Sequence, residues 1–487
     1  MSQPSSDRKP NAVRRRLFLQ AGAAATVGAG LSATRSEARS ADGSSQRSGV
    51  KGRLPPKGEF VFRGGHVLSM DRNLGDLPVA DVHVKGGSIV AVGKDLRLPG
   101  VFAIDARDTI VMPGFVDAHS HLWNAFLRGS IRGDDPRRGY FPVSNFAAPL
   151  CTPEDAYNSV RFGVAQELLA GVTTINNYSH NTRSRHHADA EIRAMLETGV
   201  RGRFSYGPAG RSGPIDMVDV ARVQAQFGKA SPRLTLGVNL LNPPSGGPID
   251  AFAGELGAAR ALGLPISLHF SNPWTGLYQQ MQAAGLFGPD ILAIHCQGFD
   301  AAERQILVAN HVKLSMSPVI EIPYSTVRDG YIQFDELEQL GAQLSLSIDA
   351  TSASANADFF NVMRALQFSH KQRADTKMKL LPRRLVELAT IEGARALGLD
   401  DRVGSLIPGK RADIIMVRKT DINMVPVFDP YFSLVYSGLP QNVDTVVVDG
   451  DVLVSNGEFT ALDADAVVDA ATASALRVEA EVSRALS

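Results

Sequence analysis

The residues able to do chemistry in this chain are histidines and one aspartate, each standing just after an apolar run. His119 and His121 close the stretch Val111-Met-Pro-Gly-Phe-Val-Asp-Ala-His-Ser-His-Leu122, in which Gly114-Phe-Val-Asp-Ala118 reads as a short strand behind a Pro-Gly turn. Strand side chains alternate between faces, so His119 and His121 fall on one face, where two imidazoles can close on a single divalent metal. Alone, a His-x-His pair is more often packing than ligation. Three further residues hold equivalent positions: His269 after Pro265-Ile-Ser-Leu268, His295 after Ile291-Leu-Ala-Ile294, and Asp349 after Leu344-Ser-Leu-Ser-Ile348. Each taken singly reads as a satisfied core histidine or a helix-capping aspartate. Together, imidazole nitrogens and one carboxylate make a ligand set for Zn²⁺ or Fe²⁺ with a position left for water.

Such a set needs elements that converge. Apolar strand runs recur through the middle of the chain, at Phe115-Val-Asp117, Val172-Thr-Thr-Ile175, Arg203-Phe-Ser-Tyr206, Leu234 to Asn239, Pro265 to His269, Ile291 to His295, Val312 to Met316 and Leu344 to Ile348. Helical patterns separate them. One runs from Thr152-Pro-Glu-Asp to Leu169-Ala-Gly171, with Thr152 as N-cap, Pro153 in the first turn and Gly171 as terminator. Repeated strand–helix units predict an α/β fold, a (β/α)₈ TIM barrel over 113–398, in which functional residues belong at strand C-termini. An open doubly wound sheet is the competing architecture, but no GxGxxG turn follows the first strand. Short β patterns flank the barrel over 59–112 and 399–460, with Gly64-Gly65, Gly86-Gly87 and Asp449-Gly450 read as hairpin turns. They predict one small composite β-sandwich built from both chain ends, followed by a C-terminal helix over 461–487.

Composition narrows the partners. Among 487 residues, Lys plus Arg balances Asp plus Glu at a formal net charge of zero, which gives no reason to expect nucleic acid or an anionic membrane as a partner. The two cysteines, Cys151 and Cys296, form no CxxC pair, so metal work falls to histidine and carboxylate. At the N-terminus, Arg14-Arg-Arg-Leu-Phe-Leu19 precedes the apolar, small-residue run Ala21 to Ala33 and the polar Ser36-Glu-Ala38. This predicts a twin-arginine-type signal peptide over 1–40 and a linker over 41–58, and hence a bacterial protein of the periplasm or outside the cell.

Pro113-Gly-Phe-Val-Asp-Ala-His-Ser-His121, Ser347-Ile-Asp349 with Asn356 and Asp358 to Arg364, Ala389 to Gly398, and Val403-Gly-Ser-Leu-Ile-Pro-Gly-Lys-Arg-Ala-Asp-Ile-Ile415 resemble the motifs of the amidohydrolase superfamily, in its cytosine deaminase and triazine hydrolase branch. The resemblance implies His119, His121, His269 and Asp349 as ligands of one divalent metal, Zn²⁺ ahead of Fe²⁺. It makes Asp349 and His295 the catalytic pair, with His295 a non-ligand, or weakly bound, histidine beside the metal water. Relatives often form dimers or larger assemblies, so it also implies a homo-oligomer. Binuclear relatives use a fourth-strand lysine, and Leu234 to Asn242 has none, which favours a single metal.

The chain departs from the family at Asn272. Deaminases of this branch carry glutamate three residues after the fifth-strand histidine, and asparagine cannot titrate. The expected activity is therefore hydrolysis of a carbon–nitrogen bond other than a peptide, in an amide or cyclic amide of a small molecule. Deamination or dechlorination of a heteroaromatic ring is the alternative, and a metal-free binding module the third reading. Glu321 is weighed as a replacement acid against a solvated loop residue. Trp123, Asn124 and Arg128 beyond the first strand, and Tyr178 and His180 on the second, are candidates for substrate binding. Tyr206 and Trp274 join them, suiting a planar substrate with an anionic group at Arg128. His186-His187 reads as exposed.

Overall fold

The computed structural model describes residues 58–486, apart from Gly133 and the stretches 211–212, 243–248, 272–275, 325–331 and 373–378. The expected signal peptide, nearly all of the linker, and the candidates Asn272 and Trp274 lie outside the described residues.

The N-terminal flank supplies β1 (Glu59–Leu68), β2 (Asp76–Lys85), β3 (Ser88–Gly93), β4 (Phe102–Asp105) and β5 (Thr109–Pro113). Eight parallel strands follow: β6 (Phe115–Ser120), β7 (Val172–Ser179), β8 (Arg201–Tyr206), β9 (Leu234–Leu240), β10 (Ile266–Ser271), β11 (Ile291–Gln297), β12 (Lys313–Met316) and β13 (Gln343–Leu346). The C-terminal flank adds β14 (Ile414–Arg418), β15 (Val443–Val448), β16 (Asp451–Ser455) and β17 (Glu458–Phe459).

The eight parallel strands pair in sequence order, and the two ends meet. Ser120 bridges Asp349, the His121 N–H donates to the Asp349 carbonyl at 2.9 Å, and the Asp349 N–H donates to the His119 carbonyl at 3.0 Å. The array is thus a barrel, and the open doubly wound sheet is excluded. Its closing bonds run through the site histidines themselves. Helices pack outside, among them Pro153–Leu169, whose Thr152 and Asp155 form a reciprocal capping box.

The flanks build one mixed sheet in the order β17-β16-β15-β14-β5-β1-β2-β3, with β4 beside β1. Its own apolar core combines Phe60, Phe62 and Val82 from the front of the chain with Ile414, Met416 and Val447 from the back. Gly86-Gly87 and Asp449-Gly450 form hairpin turns with positive φ. Gly64-Gly65 does not. It lies inside β1 as a bulge, where the Gly64 N–H donates to Asp81 Oδ1 and a Cβ on Gly65 would stand 2.5 Å from Val111 Cγ2. Close approach of β5, rather than a chain reversal, requires glycine there.

Candidate metal centre

Simple alternation does not explain how the histidines reach the barrel interior. Val116 and Ala118 of β6 pack with Tyr178 of β7 and with Leu292 and Ile294 of β11, across the barrel, so they point inward. Phe115 points outward onto Phe359 and Phe360. Continued strictly, this pattern would carry His119 to the helical side. Pairing with β7 instead runs Asp117↔Ile175 and then Ser120↔Asn177, one residue more on β6 than on its partner. That bulge returns His119 and His121 to the interior and sends Ser120 outward, where its hydroxyl donates to Glu167 Oε1 at 2.8 Å. β11 repeats the device: His269↔Ile294 is followed by Ser271↔Gln297, and His295 adopts φ +75°. Asp349 adopts φ +70°. Left-handed backbone is uncommon for residues other than glycine and concentrates where function over-determines the conformation.

At the barrel mouth the groups converge. Asp349 Oδ1 lies 3.2 Å from His121 Nε2 and 3.4 Å from His119 Nε2, and its Oδ2 lies 3.6 Å from His295 Nε2. Donor atoms of His119, His121 and His269 lie within 4.8 Å of one another, as do those of His119, His295 and Asp349. His119 belongs to both groups, is fully buried, and has neither ring nitrogen hydrogen-bonded. A buried imidazole without partners is costly unless something else binds it. His121 Nδ1 stands 3.3 Å from the Tyr178 carbonyl. A carbonyl only accepts, so Nδ1 carries the proton and the Nε2 lone pair faces the cluster.

The electrostatics agree with ligation. Burial, with His121 beside it, takes the His119 pKa down to about 3, and burial, with His119 and His295 beside it, takes His269 well below the usual range. Burial opposes ionisation of Asp349, but the imidazoles of His295, His119 and His121 hold its carboxyl well below the usual range. Neutral imidazoles and an ionised carboxylate are the donor forms a divalent cation requires, and either of the two groups that share His119 could hold one.

Around this core the expected residues divide. Tyr178 and His180 stand against the cluster, their rings 4.4 Å from His269 and 4.5 Å from His121 respectively. Trp123 Nε1–H donates to His180 Nδ1 at 3.3 Å. Asn124 is tied to Tyr140 and Ser352. Two candidates lie elsewhere. Tyr206 faces the helices, its hydroxyl donating to Asp219 Oδ2 at 3.0 Å, because Ser205 takes the inward position and bonds Asn176. Arg128 is held by Gln166 Oε1 at 2.7 Å, by the Ala355 carbonyl and by the Phe162 ring, so its charge is already engaged within the protein.

Two surface expectations give way. Glu321 is no solvated loop residue: it lies on the helix Pro318–Tyr324, 3% exposed, with Oε1 3.3 Å from His295 Nδ1. His187 is buried and bonds the Cys151 carbonyl, whereas His186 is exposed. No motif in the sequence marks Asp117 or Glu167 as a site residue. Asp117 Oδ1 accepts the N–H groups of His119 and Ile348, both at 3.1 Å, pinning the ligand-bearing ends of the first and last strand regions together. Burial raises Asp117 well above the usual range and Glu167 to about 8. An aspartate inside an otherwise apolar strand, two residues before His119, was the available signal.

Known proteins share this fold. The chain is 26% identical over 445 residues to a 5′-deoxyadenosine deaminase of Methanosarcina mazei, covering 87% of this chain and 99% of that protein. In fold it is similar to a zinc-bound adenosine deaminase from Xanthomonas campestris, with TM-score 0.76, 22% identity, and coverage of 88% and 100% of the two chains. It is likewise similar to a zinc-complexed atrazine chlorohydrolase from Arthrobacter aurescens, with TM-score 0.74, 22% identity, and coverage of 85% and 100%. The model of the amidohydrolase family matches residues 110–453, from the strand before the first ligands to the closing strands of the composite sheet. With its barrel, its histidine–aspartate centre and that match, this chain belongs to the amidohydrolase family.

Proposed function

We propose that this amidohydrolase holds one zinc ion on His119, His121, His269 and Asp349 and hydrolyses a carbon–nitrogen bond, other than a peptide, in an amide or cyclic amide of a small planar molecule. The observation that carries the reading is His119, buried without a hydrogen-bond partner and shared by both donor groups. When bound, such an ion supplies Lewis acidity and brings the pKa of a coordinated water toward neutrality. The chain's own groups do the rest. Asp349 is ionised, with Oδ2 turned toward His295 rather than toward His119 and His121, so it can accept a proton and pass it to the departing nitrogen. His295 Nε2 faces the same carboxylate and can polarise an oxygen developing negative charge. Trp123, Tyr178 and His180 wall the site with ring surfaces that suit a planar substrate.

Deamination of a heteroaromatic ring, or loss of another ring substituent, is the second reading, supported by the named activity of the Methanosarcina relative. Asn272 argues for the first reading, since it cannot shuttle a proton. Incubation of the metal-analysed protein with 5′-deoxyadenosine and with dihydrouracil separates them. Ammonia from the former without ring opening of the latter would replace the first reading by the second. Arg15-Arg16-Leu-Phe-Leu19 supports export of the folded protein to the periplasm. Fractionation of bacteria expressing the full chain tests this, and retention in the cytoplasm regardless of Arg15 and Arg16 would sink it.

A further inference from the structure

His295 is the one member of the cluster gripped from both sides by carboxylates. Its Nε2 faces Asp349 Oδ2 at 3.6 Å, and its Nδ1 faces Glu321 Oε1 at 3.3 Å. A carboxylate oxygen facing Nδ1 accepts, so the ring carries a proton there. Glu321 is itself fixed. Its Oε1 also accepts the Ser317 N–H at 2.8 Å, and the Ser317 hydroxyl bonds that of Ser347 at 2.8 Å, which ties the carboxylate to the ends of β12 and β13. The strand that carries His295 cannot orient the ring by alternation, because the residue sits at a bulge with φ +75°. Something beyond the strand has to hold it, and Glu321 is the group in place.

We propose that Glu321 is a positioning residue that accepts the Nδ1–H of His295 and fixes the orientation of its ring, so that Nε2 is presented to Asp349 and the reacting centre. The proposal rests on the reading of this cluster as a metal centre with His295 beside it, and it assigns Glu321 no separate contact with substrate.

The test uses the full-length, zinc-loaded protein labelled with ¹⁵N-histidine, in which the hydrogen-bonded Nδ1–H of His295 is identified by its loss in His295→Asn. In Glu321→Gln, which keeps the side chain's shape, that signal moves because a neutral carbonyl replaces a charged acceptor. In Glu321→Ala it is lost to exchange, while zinc content stays the same in every variant. On 5′-deoxyadenosine or dihydrouracil, Glu321→Ala lowers kcat about 10- to 100-fold with little change in KM, as expected when a group supporting a site residue is removed. In the His295→Asn background it lowers kcat no further. A signal that stays in place in both Glu321 variants overturns the proposal. So does a loss of turnover that multiplies with that of His295→Asn, which would make Glu321 an independent acid. Protein inactive on both compounds but showing the expected shift keeps the positioning role and discards the proposed substrates.

Discussion

His119 anchors the centre through what it lacks: it is buried with neither ring nitrogen hydrogen-bonded, a cost that a bound cation would offset. His119→Ala and Asp349→Ala are expected to lose metal and turnover together, read by metal analysis and assay of the same preparation. Retention of a full equivalent of metal in either variant would contradict the ligand set. Asp117 acts one step back, through the backbone N–H groups of His119 and Ile348. Asp117→Ala should weaken metal affinity about 10- to 100-fold, measured by competition with a chelator. Removing metal with a chelator should abolish activity, and zinc should restore it.

Between elements, the barrel is joined to the composite sheet by a buried ionic clamp. Arg201, the first residue of β8, makes a bidentate pair with Asp413, at 2.7 and 2.9 Å, and a further bond to Asp449 in the β15–β16 turn at 3.1 Å. All three are almost wholly buried. Asp413→Ala would leave the guanidinium short of a partner and should cost about 3–5 kcal/mol in a urea titration. Burial opposes ionisation of Asp449, but Arg411 and Arg201 outweigh it and hold its carboxyl below the usual range. A depressed folded value means stability that is complete above the unfolded-chain carboxylate pKa of about 3.9 and is lost as pH falls through the folded value. Asp449→Asn should therefore be less stable than the parent at pH 7, with the difference shrinking only in strong acid. A constant difference across that range would show that charge is not what Asp449 contributes.

For the whole molecule, the C-terminal helix Ala464–Leu486 lies beyond the family match yet packs against the segment that leaves the metal site. Its Ala471, Val478 and Val482 share an apolar cluster with Trp123, Phe126 and Leu127. Glu479 accepts from Arg138 and from Ser130, both at 2.5 Å. The chain thus closes over the segment that follows His121. Val478→Asp, which buries a charge without a partner, should destabilise by about 3–5 kcal/mol and speed zinc loss to a chelator. Unchanged zinc release in a destabilised variant would separate the helix from the site.

The sequence by itself determined the barrel, the composite β domain and the ligand types. These follow from local rules: apolar runs of strand length, turn glycines, capping residues, and polar groups placed where each run stops. Only the tertiary structure decided which way those polar groups face. The β6 bulge and the left-handed backbone at His295 and Asp349 reverse or sharpen the alternation that a strand pattern assumes, and both depend on pairing with a neighbouring strand. The same cause hid Glu321 and misplaced Tyr206 and Arg128. Burial and partnership are properties of distant segments brought together, so a glutamate that looks like a loop residue in sequence becomes, in the fold, the group holding His295.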